Sequence, residues 1–260
     1  MKKLLLLFVL TFFVLSCNNE SVMEQEQACD NGTFVGDLIL RTQQEVNDFG
    51  ELCYTKIDGQ LKIGSPLSTE PSDVTDLTPL SSLTEVYSSS NSGYGLWINH
   101  APNLTNLDGL ENLVKVNKLI VSNCSALINL NGLNNLSEIG AQDYFSALLI
   151  FKNSSLQSLD GLESLQQLGS EDSNRPAEIS IQGNLDLSNL DALSNLQNVY
   201  GDVFIGDHSE PDVSYEGNVS LIDYCGLTNL FVFGNFNEIK INNNAFNPTV
   251  EDIIAGNCSQ

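Results

Sequence analysis

Basic residues are scarce in this 260-residue sequence: ten Lys and Arg stand against 33 Asp and Glu, a formal net charge of −23. Surfaces that grip nucleic acid or dock on anionic lipid are built from Lys and Arg clusters, so the composition argues against both. Histidine occurs only as His100 and His208, in different repeats, and neither Cys-x-x-Cys nor His-Glu-x-x-His is present. Zinc chemistry is therefore unsupported, and no metal or other cofactor is expected. No nucleophile elbow and no glycine-rich phosphate loop occurs, so the usual nucleotide and acyl-transfer chemistries lack their parts. Beyond residue 15 there is also no apolar run of membrane-spanning length.

The one long apolar run lies at the start. Lys2 and Lys3 precede Leu4 to Leu15, a stretch too short to span a bilayer, and residues 1–16 read as a signal peptide. It ends in Val14-Leu15-Ser16-Cys17, which resembles the bacterial lipobox. That resemblance implies cleavage before Cys17 and diacylglycerol on its sulfur, hence a stable membrane anchor. Cleavage removes two basic and no acidic residues and leaves a net charge of −25. Residues 17–33 read as the lipidated cysteine and a flexible polar tether, and 34–260 as one folded unit without an internal linker. Acidic residues soon after Cys17 resemble surface-export signals of Bacteroidetes-type lipoproteins, which points to the outer membrane and the cell surface.

Internal repetition is the strongest signal. Leu127, Leu130, Leu133, Leu136 and Ile139 are spaced by three, and the same ladder recurs as Leu104 to Val116, Leu156 to Leu168 and Leu187 to Val199. Val74 to Val86 and Leu221 to Phe233 are more divergent copies. A period of three fits neither an α-helix nor a strand, but fits a chain that keeps turning one apolar edge inward, partly in 3₁₀ segments. Eight residues before the clearest ladders stands a short alternating segment, such as Leu96-Trp97-Ile98, Leu119-Ile120-Val121, Leu148-Leu149-Ile150 and Ile179-Ser180-Ile181. Leu38-Ile39-Leu40, Leu61-Lys62-Ile63, Val203-Phe204-Ile205 and Ile239-Lys240-Ile241 complete the set, and period-two alternation reads as strand. One strand per coil, at spacings of 23 to 36 residues, predicts an all-β solenoid of about eight coils with insertions at fixed corners.

Leu40-x-Thr42-Gln43-x-Glu45-Val46-x-x-Phe49, Tyr54-Thr55-x-Ile57-x-Gly59-x-Leu61-x-Ile63, and the Leu-Asp-Gly-Leu runs at 107–110 and 159–162 resemble receptor L domains. The resemblance covers roughly residues 34–258. It implies a right-handed parallel β-helix of leucine-rich repeats, as in insulin-type receptors and in surface lipoproteins of Bacteroidetes-type bacteria. It brings no fixed set of binding residues, and no kinase, furin-like or membrane-spanning segment follows.

An exported compartment permits disulfides. Besides Cys17 there are Cys29 and Cys53 near one end of the repeats and Cys225 and Cys258 near the other. Cys29–Cys53 and Cys225–Cys258 are expected as staples at the two ends. Cys124 lies three before Leu127, the place held by Asn153, Asn184 and Asn218 in other repeats, and reads as a structural thiol at a tight bend. The Asp-Gly and Asn-Gly pairs at 108–109, 131–132 and 160–161 read as bends.

Two acidic features stand out from plain solvated surface. Glu178 and Asp202 hold the same place in neighbouring repeats, a pairing that serves retaining glycosidases. The loop with Asp207, Glu210, Asp212 and Glu216 has oxygens enough for calcium but not the order of a known calcium loop. Solvated surface is the preferred reading of both, with calcium at the 207–216 loop left open. The inward phase of the strands leaves Trp97, Ile120, Leu149, Ser180 and Phe204 facing out, with Phe151 one step along its strand. A stripe of that kind, with Trp97, Ile120, Leu149, Phe151 and Phe204 as its apolar residues, is the expected ligand-binding surface. The sequence thus predicts a non-enzymatic, lipid-anchored envelope protein that binds a protein or glycan. A polysaccharide lyase or glycoside hydrolase, or a passive envelope-structure protein, stays open as the alternative.

Overall fold

In the computed structural model, which describes residues 30–66, 70–89, 95–140, 147–173, 176–206 and 216–260, the leucine ladders are strings of tight turns. The Leu110 N–H donates to Leu107 O at 3.1 Å and Leu113 to Leu110 at 3.0 Å, and the same bonds join 130–133–136, 159–162–165 and 190–193–196. Bonds from i to i−3 give three residues per turn, which returns every third side chain to one edge. All rungs from Leu104 to Val199 are buried, so that edge is core.

Numbered along the chain, β1 (Thr33–Val35), β3 (Lys56–Asp58), β5 (Glu85–Tyr87), β7 (Lys115–Val116), β9 (Glu138–Ile139), β11 (Gln167–Leu168) and β13 (Asn198–Val199) form one parallel sheet in that order. A second parallel sheet of eight runs β2 (Leu38–Leu40), β4 (Leu61–Gly64), β6 (Leu96–Asn99), β8 (Lys118–Ser122), β10 (Ala147–Phe151), β12 (Ala177–Gln182), β14 (Gly201–Gly206) and β15 (Ile239–Asn242). The expectation of an all-β solenoid, a right-handed β-helix with one strand per coil, is corrected by this arrangement. The described residues form two stacked parallel sheets of seven and eight strands, and the chain passes from one to the other between successive strands as far as β14, with β15 following β14 in the same sheet. Among the described residues there are also three short α-helices, α1 (Gln43–Gly50), α2 (Thr228–Phe233) and α3 (Val250–Ile254). The unforeseen sheet is built where the ladders end: Val86, Val116, Ile139, Leu168 and Val199 are both last rungs and strand residues. Two or three residues of strand carry too little alternation to stand out beside a three-residue period.

A line of buried side chains stacks along the corner after the eight-stranded sheet. The Asn153 N–H donates to Asn184 Oδ1 at 3.1 Å, Asn184 to Asn218 at 3.0 Å and Asn218 to Asn244 at 3.1 Å. Their Nδ2 groups donate back to Val121 O, Ile150 O and Ile181 O at 2.9 to 3.0 Å. Four of these corners turn through a residue with positive φ just before the line, namely Asn123, Lys152, Gly183 and Asn243. Gly109, Gly132 and Gly161 serve the opposite corner, with φ of +111°, +109° and +112°. A Cβ at any of them would collide with the carbonyl of the repeat before, so only glycine fits the bends.

Both ends of the core are covered. At the N-terminal end α1 carries a Thr42–Glu45 capping box and buries Val46 and Phe49, the latter packed with Phe34 and Tyr54 at ring distances of 5.6 and 5.8 Å. β1 begins at Thr33, and the Asn31 N–H donates to Cys53 O at 2.7 Å. At the C-terminal end the Tyr224 hydroxyl donates to Phe246 O at 2.8 Å, and a disulfide joins Cys225 to Cys258, with Cα atoms 5.0 Å apart, as expected. Cys53 is disulfide-bonded too. Its expected partner Cys29, the expected lipidation site Cys17 and the expected 1–16 signal peptide lie outside the described residues.

Candidate functional site

The outer faces of the two sheets differ in chemistry. On the seven-stranded sheet one outward row reads Lys56, Glu85, Lys115, Glu138, Gln167, Asn198 across adjacent strands. Its charges alternate and pair: Lys56 Nζ lies 2.6 Å from Glu85 and Lys115 Nζ 2.7 Å from Glu138. Partly exposed pairs of this kind add little stability, and the row is an ordinary solvated surface.

On the eight-stranded sheet the corresponding row is Ile39, Lys62, Trp97, Ile120, Leu149, Ser180, Phe204, Lys240. All of the expected stripe is here in register, and Phe151 stands beside it at the end of β10. At ~4.8 Å per strand the stretch from Lys62 to Lys240 is roughly 29 Å long. Trp97, Ile120, Leu149 and Phe151 are half-buried. Phe204, however, is only 6% exposed and Ser180 4%, so the accessible apolar surface is shorter than the sequence implied.

Two lysines outside the expected stripe complete the arrangement. Lys62 Nζ lies 4.5 Å above the centre of the Trp97 ring, and Lys240 Nζ 5.4 Å from that of Phe204. Each cation rests on the electron-rich ring face, which fixes both side chains. The alternation within Leu61-Lys62-Ile63 and Ile239-Lys240-Ile241 already placed them on this face, and that was the available signal. The Trp97 indole N–H points along the sheet to Ser122 Oγ at 3.5 Å, and Ser122 donates to Asn99 Oδ1 at 2.8 Å. Lys62, Gly64, Ser65, Trp97 and Asn99 line a small notch at this end of the row.

Beside the row runs a second one, Lys118, Ala147, Glu178, Asp202. Glu178 and Asp202 are thus in register on adjacent strands, as read from the sequence. Asp202 Oδ1 accepts the Glu238 N–H at 3.2 Å. Burial lowers the pKa of Lys118, and the charge of Glu178, on the far side of the small Ala147, opposes that shift. One carboxylate therefore faces an ammonium and the other is held by backbone. Asp207, Glu210, Asp212 and His208 lie outside the described residues, while Glu216 is exposed. Among the described residues no three His, Cys, Asp or Glu side chains are placed to hold a metal ion, and no helix is long and apolar enough to cross a membrane.

Cys124 takes its place in the asparagine line. Its N–H donates to Asn153 Oδ1 at 3.0 Å, and its sulfur reaches Ser122 O at 3.3 Å. Burial pushes the thiol up to about 11, so it stays protonated and unreactive at neutral pH.

Comparison of the chain with family models, with curated proteins and with solved structures found no match.

Proposed function

We propose that this chain is a lipid-anchored protein of the bacterial outer membrane, facing the cell surface, that recognises a protein or glycan through the outer face of the eight-stranded sheet. The single observation that carries this reading is the contrast between the two outward rows. A solvated sheet face is polar, as on the seven-stranded sheet; Trp97, Ile120 and Leu149 interrupt that pattern with accessible apolar surface on a rigid frame. Aromatic anchors fixed before binding lose little freedom on contact. The resemblance to receptor L domains supports recognition, and the lipobox-like Val14-Leu15-Ser16-Cys17 supports the anchor. Binding is favoured over catalysis because Glu178 and Asp202 are engaged with Lys118 and with backbone.

The test immobilises residues 28–260, which hold every strand and helix among the described residues, and follows retention of cell-envelope proteins and glycans. Trp97→Ser with Ile120→Ser is expected to weaken retention by ~2 kcal/mol, roughly 30-fold, with little change in melting temperature. Lys115→Gln on the polar row is expected to change nothing. Equal retention by the double variant would remove the reading.

A further inference from the structure

The lysines on the two sheets differ in what faces them. Lys56, Lys115 and Lys240 each hold a carboxylate, of Glu85, Glu138 and Glu238, at 2.6 to 3.1 Å, and Lys118 feels the charge of Glu178. Lys62 is the exception. Its Nζ lies 4.5 Å from the centre of the Trp97 ring, and no ion pair among the described residues includes it. In a chain with 33 Asp and Glu, a lysine that rests on an aromatic ring and not on a counter-ion is conspicuous. The ring attracts and orients the ammonium without neutralising it, so a positive charge persists at this point of the surface.

Lys62 stands at one end of the accessible part of the row. Trp97, Ile120 and Leu149 follow on β6, β8 and β10, and all four residues are half-buried. The next position, Ser180, is only 4% exposed, so the accessible part ends at Leu149. What remains is one cation followed by apolar side chains over three strand steps, roughly 14 Å. A sugar ring is oriented by polar side chains placed beside its apolar contact, and Ile120 and Leu149 supply none. Their aliphatic surface matches apolar side chains of a protein. The net charge of −23 repels a partner that carries a run of acids, which leaves a single carboxylate as the group that fits Lys62.

We infer that the partner of this face is a protein segment with one Asp or Glu beside apolar residues, its carboxylate pairing with Lys62 and its apolar side chains resting on Trp97, Ile120 and Leu149. The inference rests on the recognition reading above and narrows its ligand from a protein or glycan to a protein of stated chemistry. The apolar contact supplies most of the affinity. Lys62, at the rim, selects the partner and sets its direction along the row, because a charge at the edge of an interface gives specificity more than strength.

Random short peptides displayed on phage, selected on immobilised residues 28–260, test it. Peptides with one Asp or Glu among apolar residues are expected to be enriched. Trp97 is the only tryptophan in the chain, so its fluorescence reports the binding of a selected tryptophan-free peptide at this place. Lys62→Gln is expected to weaken that binding about fivefold, and so is exchange of the peptide's acid for its amide, with no further loss when both changes are made. Lys62→Arg is expected to keep the affinity, and thermal melts confirm that both variants are folded. Enriched peptides without an acid, or an affinity unchanged by Lys62→Gln, overturn the inference; the recognition reading survives if Trp97→Ser still abolishes retention of the peptide. Equal retention by Trp97→Ser removes that reading itself. No enrichment of any peptide overturns the inference in favour of a glycan.

Discussion

Cys124 and Asn153 are neighbours in one hydrogen-bonded line, the Cys124 N–H donating to Asn153 Oδ1 at 3.0 Å. Cys124 accepts the pattern but does not extend it, because a thiol 3.9 Å from Ile98 O is a poor substitute for the carboxamide that reaches Val121 O from Asn153 at 3.0 Å. Cys124→Asn is therefore expected to raise stability by about 1 kcal/mol, and Asn184→Ala to lower it by about 2 to 4, since the latter strands the Asn153 N–H and Ile150 O without partners. Urea denaturation of both variants checks the pair of signs. Opposite signs are required; two losses of similar size would mean that the line does not depend on the carboxamide.

The same thiol makes stability depend on pH in the alkaline range. Its ordinary value of 9.0 is raised to about 11 in the fold, so between these values the unfolded chain has lost the proton and the folded chain has kept it. Stability from this group is fully present below pH 9 and falls as pH rises toward 11, by about 2 to 3 kcal/mol. Cys124→Ala is expected to flatten that part of the curve. Denaturation at pH 8 and pH 11 on both proteins measures the difference.

The two aromatic residues of the outer row have different fates on truncation. Phe204 is 6% exposed, so Phe204→Ala removes buried surface and is expected to cost about 3 kcal/mol. Trp97 is half-buried, and Trp97→Ser is expected to cost less than about half of that. Thermal melts rank them. If the order is reversed, Trp97 is a packing residue and the accessible surface has been misplaced.

Reduction of Cys225–Cys258 releases a loop with a sequence separation of 33 residues. The chain-entropy account predicts a loss of about 3 to 4 kcal/mol, concentrated where α2 and α3 cover the last repeats. Hydrogen exchange with and without reductant is expected to show new exposure around Leu230 and Ile253, both buried now, and none around Leu127. Uniform loosening would exclude a local staple.

Much of the core was readable because period and burial have one cause. Leu107, Leu110 and Leu113 are three apart because successive i to i−3 bonds turn the chain once per three residues. The equivalence of Cys124 with Asn153, Asn184 and Asn218 was likewise visible, because a shared offset from the ladder means a shared corner. The seven-stranded sheet was not readable: Lys115–Val116 and Glu138–Ile139 are too short to show alternation, and Lys115 and Glu138 look like any exposed residues until they are paired across strands. Nor was the low exposure of Phe204 readable, since the phase of a strand says which way a side chain points but not what lies over it. Lys240, from the next strand, approaches its ring at 5.4 Å.

The asparagine line has a consequence for how such a chain changes over time. Asn153, Asn184 and Asn218 each give the same bonds to the next position and take the same bonds from the one before. Excision of residues 154–184 would bring Asn153 opposite Asn218 with the donor and acceptor it had before, and β10 beside β14. Unequal recombination between repeats thus yields a shorter or longer protein whose new junction is already bonded, and the number of repeats is free to drift while each junction stays fixed.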